Sequence, residues 1–269
     1  MSKRNKRATP VFNQAIIETH CHLDYLKEYS LEELVERSQE VGIEKIITIA
    51  VSPDNLEKVM KLTQQHPMIW GTQGVHPHDA QHFQKETESH IRENAQDPRI
   101  LAIGEIGLDY FYEHSDRKTQ QQVFENQLQI ASDMNLPVVI HSREADDDTM
   151  SILKNFESSL KQRGVIHSFT SGPELAQYAI DQEYCLGFNG ICTFNTAENV
   201  RDIIRMTPVE QIILETDAPY LAPMPNRGKR NEPAWVRHTA ECLAECHGIS
   251  TEELAEITTN NALRVFGLS

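Results

Sequence analysis

An alternation repeated about eight times along this chain, short runs rich in Val and Ile followed by longer stretches of helical period, governs which folds are open to it. The runs Ala15–His20, Lys45–Ala50, Ile69–Gly74, Ile100–Glu105, Val138–His141, Val165–His167, Tyr184–Phe188 and Ile212–Asp217 each predict a strand. Between them the helical segments carry caps. Ser30 with Glu33 makes a capping box before Leu31, Leu34 and Val35, and Gly42 ends that helix. Val123, Phe124, Leu128, Ala131 and Met134 form an apolar stripe before Pro137, and Ser250 with Glu253 caps a last helix bearing Leu254, Ile257 and Val265. Strands separated by helices of this length need right-handed crossovers, hence one parallel sheet. Eight such units close a (β/α)8 TIM barrel, which takes roughly 250 residues, and the chain has 269. An open doubly wound sheet is also parallel, but its Gly-rich phosphate loop is absent. With no long Gly/Ser linker, residues 15–269 read as one domain behind a polar, basic tail at 1–14.

Charge narrows the function. Forty acidic residues against 25 basic ones give a net charge of −15, which repels nucleic acid at long range and excludes a protein that works by coating phosphate backbones. A phosphate substrate needs a local basic patch or metal ions. Ser2 to Arg7 is basic without a following apolar core, so it reads as a solvated tail and not a signal peptide. No run approaches the roughly 20 apolar residues of a membrane span. Five cysteines at irregular spacing are no disulfide framework and suit a reducing cytoplasm. His238, Cys242 and Cys246 share a helix face, but three ligands on one helix cannot close around zinc alone, so they read as packing. The oligomeric state stays open, a monomer being compatible with the sequence.

In a barrel of this kind the working residues project from the C-terminal strand ends. His20 and His22 close the first predicted strand, Glu105 the fourth, His141 the fifth, His167 the sixth and Asp217 the eighth. Metal-binding side chains thus recur at one rim. Strand alternation puts Glu18, His20 and His22 on one face, so that both imidazoles reach one ion. Four imidazoles and two carboxylates exceed the needs of one tetrahedral ion and suit two divalent cations bridged by a carboxylate.

At these residues the chain resembles the TatD family of metal-dependent deoxyribonucleases. The resemblance runs from about residue 15 to the C-terminus. It is carried by Glu18-Thr19-His20-Cys21-His22-Leu23-Asp24, Gly74-Val75-His76-Pro77-His78, Ile103-Gly104-Glu105-Ile106-Gly107-Leu108-Asp109-Tyr110, His141-Ser142-Arg143 and His167-Ser168-Phe169, and further on by Glu215-Thr216-Asp217-Ala218-Pro219-Tyr220-Leu221 and Arg230-Asn231-Glu232-Pro233. It implies Glu105 as the bridging ligand and substrate-phosphate contacts from His76 and His78. The family usually has Asp where this chain has Glu18, a departure that bears on a supporting role for that carboxylate and leaves His20 and His22 intact.

Arg143 follows a ligand directly and Arg230 lies beyond the eighth strand, so each guanidinium is a candidate phosphate fork. Arg227, Lys229 and Arg230 form a rare basic cluster in an acidic chain. Glu215 shares a face with Asp217 and reads as an orienting group, not a ligand. His66, His82, His90, His114 and His247 read as uninvolved. The expected reaction is hydrolysis of DNA phosphodiesters, from an end or on single strands, by metal-activated water, with Asp217 as ligand and proton acceptor and Glu105 as catalytic bridge. The rival reactions are ester or amide hydrolysis, including removal of an amino acid from transfer RNA, and a metal-binding scaffold without turnover. Imidazole-rich ligation favours zinc, manganese or iron, while the carboxylates tolerate magnesium.

Overall fold

The computed structural model describes residues 9, 11 and 13–268, so most of the predicted 1–14 tail lies outside the described residues. Eight strands pair in chain order, each parallel to the next: β1 (Ile16–Cys21), β2 (Ile43–Thr48), β3 (Ile69–Gln73), β4 (Ile100–Asp109), β5 (Val138–Arg143), β6 (Gly164–Ile166), β7 (Cys185–Phe188) and β8 (Ile212–Leu214). The ring closes where Cys21 bridges Ala218, with Asp217 N–H donating to His20 O at 2.8 Å and His22 N–H to Ala218 O at 2.7 Å. Sequential order and closure leave no topological switch point, which distinguishes this barrel from the doubly wound alternative.

Helices α1 (Leu31–Glu40), α2 (Leu56–Gln65), α3 (Lys85–Asn94), α4 (Arg117–Met134), α5 (Asp146–Phe156), α6 (Pro173–Asp181) and α7 (Glu198–Met206) alternate with the strands, and α8 (Val236–His247) and α9 (Thr251–Phe266) follow β8. The predicted Ser30–Glu33 box forms with both of its hydrogen bonds, and Ser250 accepts from Glu253 N–H. Gly42, at φ 87°, turns the chain out of α1. No helix among the described residues is long and apolar enough to cross a membrane.

Alternation along the strands sorts two apolar layers. Ile46, Val138, Ile140, Ile166, Leu186, Ile212 and Leu214 belong to the large cluster shared with the helices. Their neighbours Ile47, Val139, Val165, Cys185 and Ile213 meet Ala262 and Phe266 of α9 in a second cluster. Two residues beyond Val139 and Val165 on the same parity stand His141 and His167, which therefore continue an apolar interior layer into its polar mouth.

Every strand end but that of β7 shifts from expectation, by one to four residues, and the shifts at β4, β8 and β6 bear on the expected ligands. β4 runs four residues past Glu105 because β5 extends to Arg143 and pairs with it through Gly107↔His141, Leu108↔Ser142 and Asp109↔Arg143. Glu105 is therefore a mid-strand residue. β8 stops at Leu214, where its pairing with β7 ends at Phe188, and Asp217 sits beyond it at φ 57°. β6 ends at Ile166, just before His167.

Candidate metal centre

The six residues expected as ligands converge in the barrel mouth. Glu105 is their hub: Oε1 lies 2.7 Å from His167 Nε2, 3.2 Å from His141 Nδ1 and 3.4 Å from His76 Nε2, and Oε2 lies 3.4 Å from His20 Nε2. Asp217 Oδ1 stands 3.4 Å from His22 Nε2 and 3.8 Å from His20 Nε2. Three donor groups result: His20, His22 and Asp217; His20, Glu105 and His167; and His76, Glu105 and His141. All six, and His76 with them, are at least four-fifths buried.

The donors fit divalent cations on a specific ground. His20 is 1% exposed and neither ring nitrogen makes a hydrogen bond, a condition that costs about 1–3 kcal/mol unless another partner satisfies it. A cation between the imidazoles and the two carboxylates is such a partner.

The supporting groups explain how the ligands are aimed. Glu18, fully buried, accepts at Oε1 from His20 N–H at 2.9 Å and Thr216 N–H at 3.0 Å, tying β1 to the segment after β8 directly under the donors. Burial pushes its carboxyl well above the usual range, against the pull of those backbone bonds. Glu215 Oε1 accepts from Ser168 N–H at 2.7 Å and lies 3.7 Å from His167 Nδ1. Gly187 is required beside it, since a Cβ there would stand 2.4 Å from Glu215 Oε2.

Proton affinities within the cluster diverge with surroundings. Burial, then the neighbouring His167, lowers His20, and burial holds His76 well below the usual imidazole value. Burial opposes charging of His22, His141 and His167 as well, but Asp217, the Asp109–Glu105 pair and Glu105 respectively outweigh it and raise them. Burial also opposes ionisation of Glu105, yet the imidazoles of His167, His76 and His141 keep it well below the ordinary carboxyl range. Glu105 is thus anionic wherever the protein is folded near neutrality.

The expected phosphate contacts separate. His76 faces Glu105 and joins a donor group, so its imidazole stands among the candidate ligands and not apart from them. His78 Nε2 pairs with Asp109 Oδ2 at 3.0 Å. Arg143 lines the cavity of about 690 Å³ above the donors, stacked over Phe111 at 4.0 Å and Tyr112 at 4.8 Å, with no carboxylate partner among the described residues. Arg230 does not line it. Its guanidinium pairs with Glu28 at 3.0 Å and donates to Tyr25 O, while Arg227 stacks on Phe194 and Lys229 donates to Asn226 Oδ1. The basic cluster is spent on local contacts. Cys242 donates to Cys192 O at 3.3 Å, and His238, Cys242 and Cys246 form no donor group.

Asp109 was missed. It is 1% exposed and accepts at Oδ2 from both His78 and His141. Its parity with Glu105 along β4 was the available signal, hidden because the strand was expected to end at Glu105. His114, read as uninvolved, packs its ring 4.7 Å from that of His78.

A closed eight-stranded parallel barrel with an acid-bridged histidine cluster at its mouth defines a metal-dependent hydrolase. A family model described as TatD related DNase matches residues 17–267, and the chain belongs to that family. It is 36% identical over 256 residues to the Bacillus subtilis (strain 168) protein named uncharacterized metal-dependent hydrolase YabD, covering 94% of this chain and 100% of that one. It is 35% identical over 243 residues to a Rahnella sp. (strain Y9602) protein named 3'-5' ssDNA/RNA exonuclease TatD, covering 88% and 92%. The crystal structure of YjjV, a TatD homologue from Escherichia coli K12, superposes with a TM-score of 0.88 at 28% identity over 94% of this chain and 98% of that one.

Proposed function

We propose that this protein hydrolyses phosphodiester bonds of single-stranded nucleic acid, DNA foremost, with two divalent cations held by His20, His22, Glu105, His141, His167 and Asp217. The observation that carries the reading is the position of Glu105, whose Oε2 faces His20 and whose Oε1 faces His141 and His167, as a carboxylate shared by two donor groups. The exonuclease name borne by the Rahnella relative supports the substrate class. Divalent cations in such a site bring the pKa of bound water towards about 7 and offset charge on phosphoryl oxygens.

The chain's own residues do the rest. Asp217, which lines the cavity, accepts the proton of the attacking water at Oδ1. Glu105 stays ionised and holds the two donor groups in register. Arg143 presents a guanidinium without a competing carboxylate to a phosphate oxygen. His78, its Nε2 held by Asp109, stands at the cavity wall.

The test is hydrolysis by metal-stripped protein of labelled single-stranded DNA, duplex DNA, RNA and an aminoacyl-RNA, with zinc, manganese or magnesium restored singly. Metal-dependent release of nucleotides from single strands is expected. Turnover of the aminoacyl ester alone would replace the nuclease reading with a deacylase.

A further inference from the structure

We infer that Tyr112, carried beside Phe111 on the loop after β4, is a stacking platform for a nucleobase next to the bond being cut; this rests on the nuclease reading above. Among the described residues four aromatic rings are largely exposed: Tyr29, Phe111, Tyr112 and Tyr220. Tyr112 and Tyr220 both line the catalytic cavity. Leaving such rings about half exposed forgoes part of their hydrophobic burial, and the fold does so at the mouth of its active site.

The platform is built and not merely left over. Asp109 Oδ1 accepts from Phe111 N–H and Tyr112 N–H, both at 3.0 Å, while its Oδ2 holds His78 and His141. One buried carboxylate thereby sets the aromatic loop and a metal-site imidazole in a common frame. His114 stacks parallel to Tyr112 at 5.7 Å and 11°, stiffening one face of the ring. Arg143 lies against Phe111 and Tyr112, which places the phosphate-binding fork and the stacking surface side by side.

Electrostatics say why bases are needed. A second cavity of about 900 Å³ next to Arg143 carries five carboxylates, Glu144, Asp146, Asp147, Asp148 and Glu174, against the two guanidinium groups of Arg117 and Arg143. That wall repels a phosphate backbone, and the net charge of −15 withholds long-range attraction. Beyond the one contact from Arg143, binding energy on this side of the site comes from neutral surface, and every base has a π-face. A duplex hides its faces in the stack. The platform therefore selects unpaired strands and contributes to affinity more than to the chemical step.

The experiment uses the metal-replete protein and two single-stranded oligonucleotides of one length, one ordinary and one abasic at its terminal nucleotides. Tyr112→Ala should raise KM for the ordinary strand by roughly ten- to a hundredfold, the range that loss of one base–aromatic stack gives, with a far smaller change for the abasic strand. Tyr112→Phe should restore the ordinary KM, because the ring and not the hydroxyl does the stacking. A 2-aminopurine placed at the terminus should be quenched by wild type and not by Tyr112→Ala. Equal losses on both strands, or none on either, overturn the platform and leave the nuclease intact. Absence of cleavage by wild type on every strand overturns the nuclease reading, and the platform with it.

Discussion

Asp109 Oδ2 stands 3.0 Å from Nε2 of His141, on the side of the ring opposite the Nδ1 that faces Glu105 at 3.2 Å. An imidazole held at one nitrogen by a buried carboxylate has its tautomer and plane settled before a metal arrives at the other. His141 is thus aimed by a residue outside the three donor groups, and the placing of that residue depends on the length of β4.

Asp109→Asn keeps the shape but exchanges one accepting oxygen for an amide, so His141 and His78 lose a charged partner. Metal affinity or turnover should fall ten- to a hundredfold, as outer partners of ligating histidines typically show. Titration of the metal-stripped variant with zinc, followed by calorimetry, measures it. An unchanged affinity together with an unchanged rate would reduce Asp109 to a loop anchor.

Asp217→Asn removes the charge and basicity of a donor that lines the cavity while leaving Glu105 in place. Turnover of single-stranded DNA should fall by at least about a thousandfold, in the upper part of the range a general base alone contributes, because ligand and base functions go together. Single-turnover kinetics with saturating metal check this. Recovery of the wild-type rate by excess metal would assign Asp217 to binding only.

Arg143→Ala and Arg230→Ala should part company. The first removes an unpaired guanidinium from the cavity and should weaken binding of single-stranded DNA by about 1.5–3 kcal/mol, with a shallower salt dependence. The second breaks an exposed pair with Glu28 and should leave affinity within about twofold, since such surface pairs contribute little. Fluorescence anisotropy across a salt series separates them, and a larger loss at Arg230 would reverse the assignment.

Glu18→Gln addresses pH. Burial raises the folded carboxyl above its unfolded value, so between the two values the folded state binds more protons and stability falls as pH rises. Gln cannot titrate, and its carbonyl can still accept from His20 and Thr216. In metal-stripped protein, the melting temperature of Glu18→Gln should exceed that of wild type by a margin that widens from pH 4.5 upward. A margin that narrows with pH would mean the carboxylate is stabilised as an anion. Glu18→Asp shortens the reach to the two backbone donors and should melt earlier.

The alternation of Val- and Ile-rich runs with capped amphipathic segments determined the barrel, and strand parity determined that His141 and His167 share its interior with Val139 and Val165. Those are properties of period and spacing, local enough to be read along the chain. Tertiary structure alone decided three other matters. The length of β4 follows from the register it finds with β5, and that pairing brings Asp109 into the site. The engagement of Arg230 follows from Glu28 and Tyr25, about two hundred residues earlier, meeting it across the barrel seam. The proximity of His76 to Glu105 follows from the path of a loop over the rim. A flexible side chain's partner is set by which charges the closed ring places within its reach, and no residue's own neighbours in the sequence encode that distance.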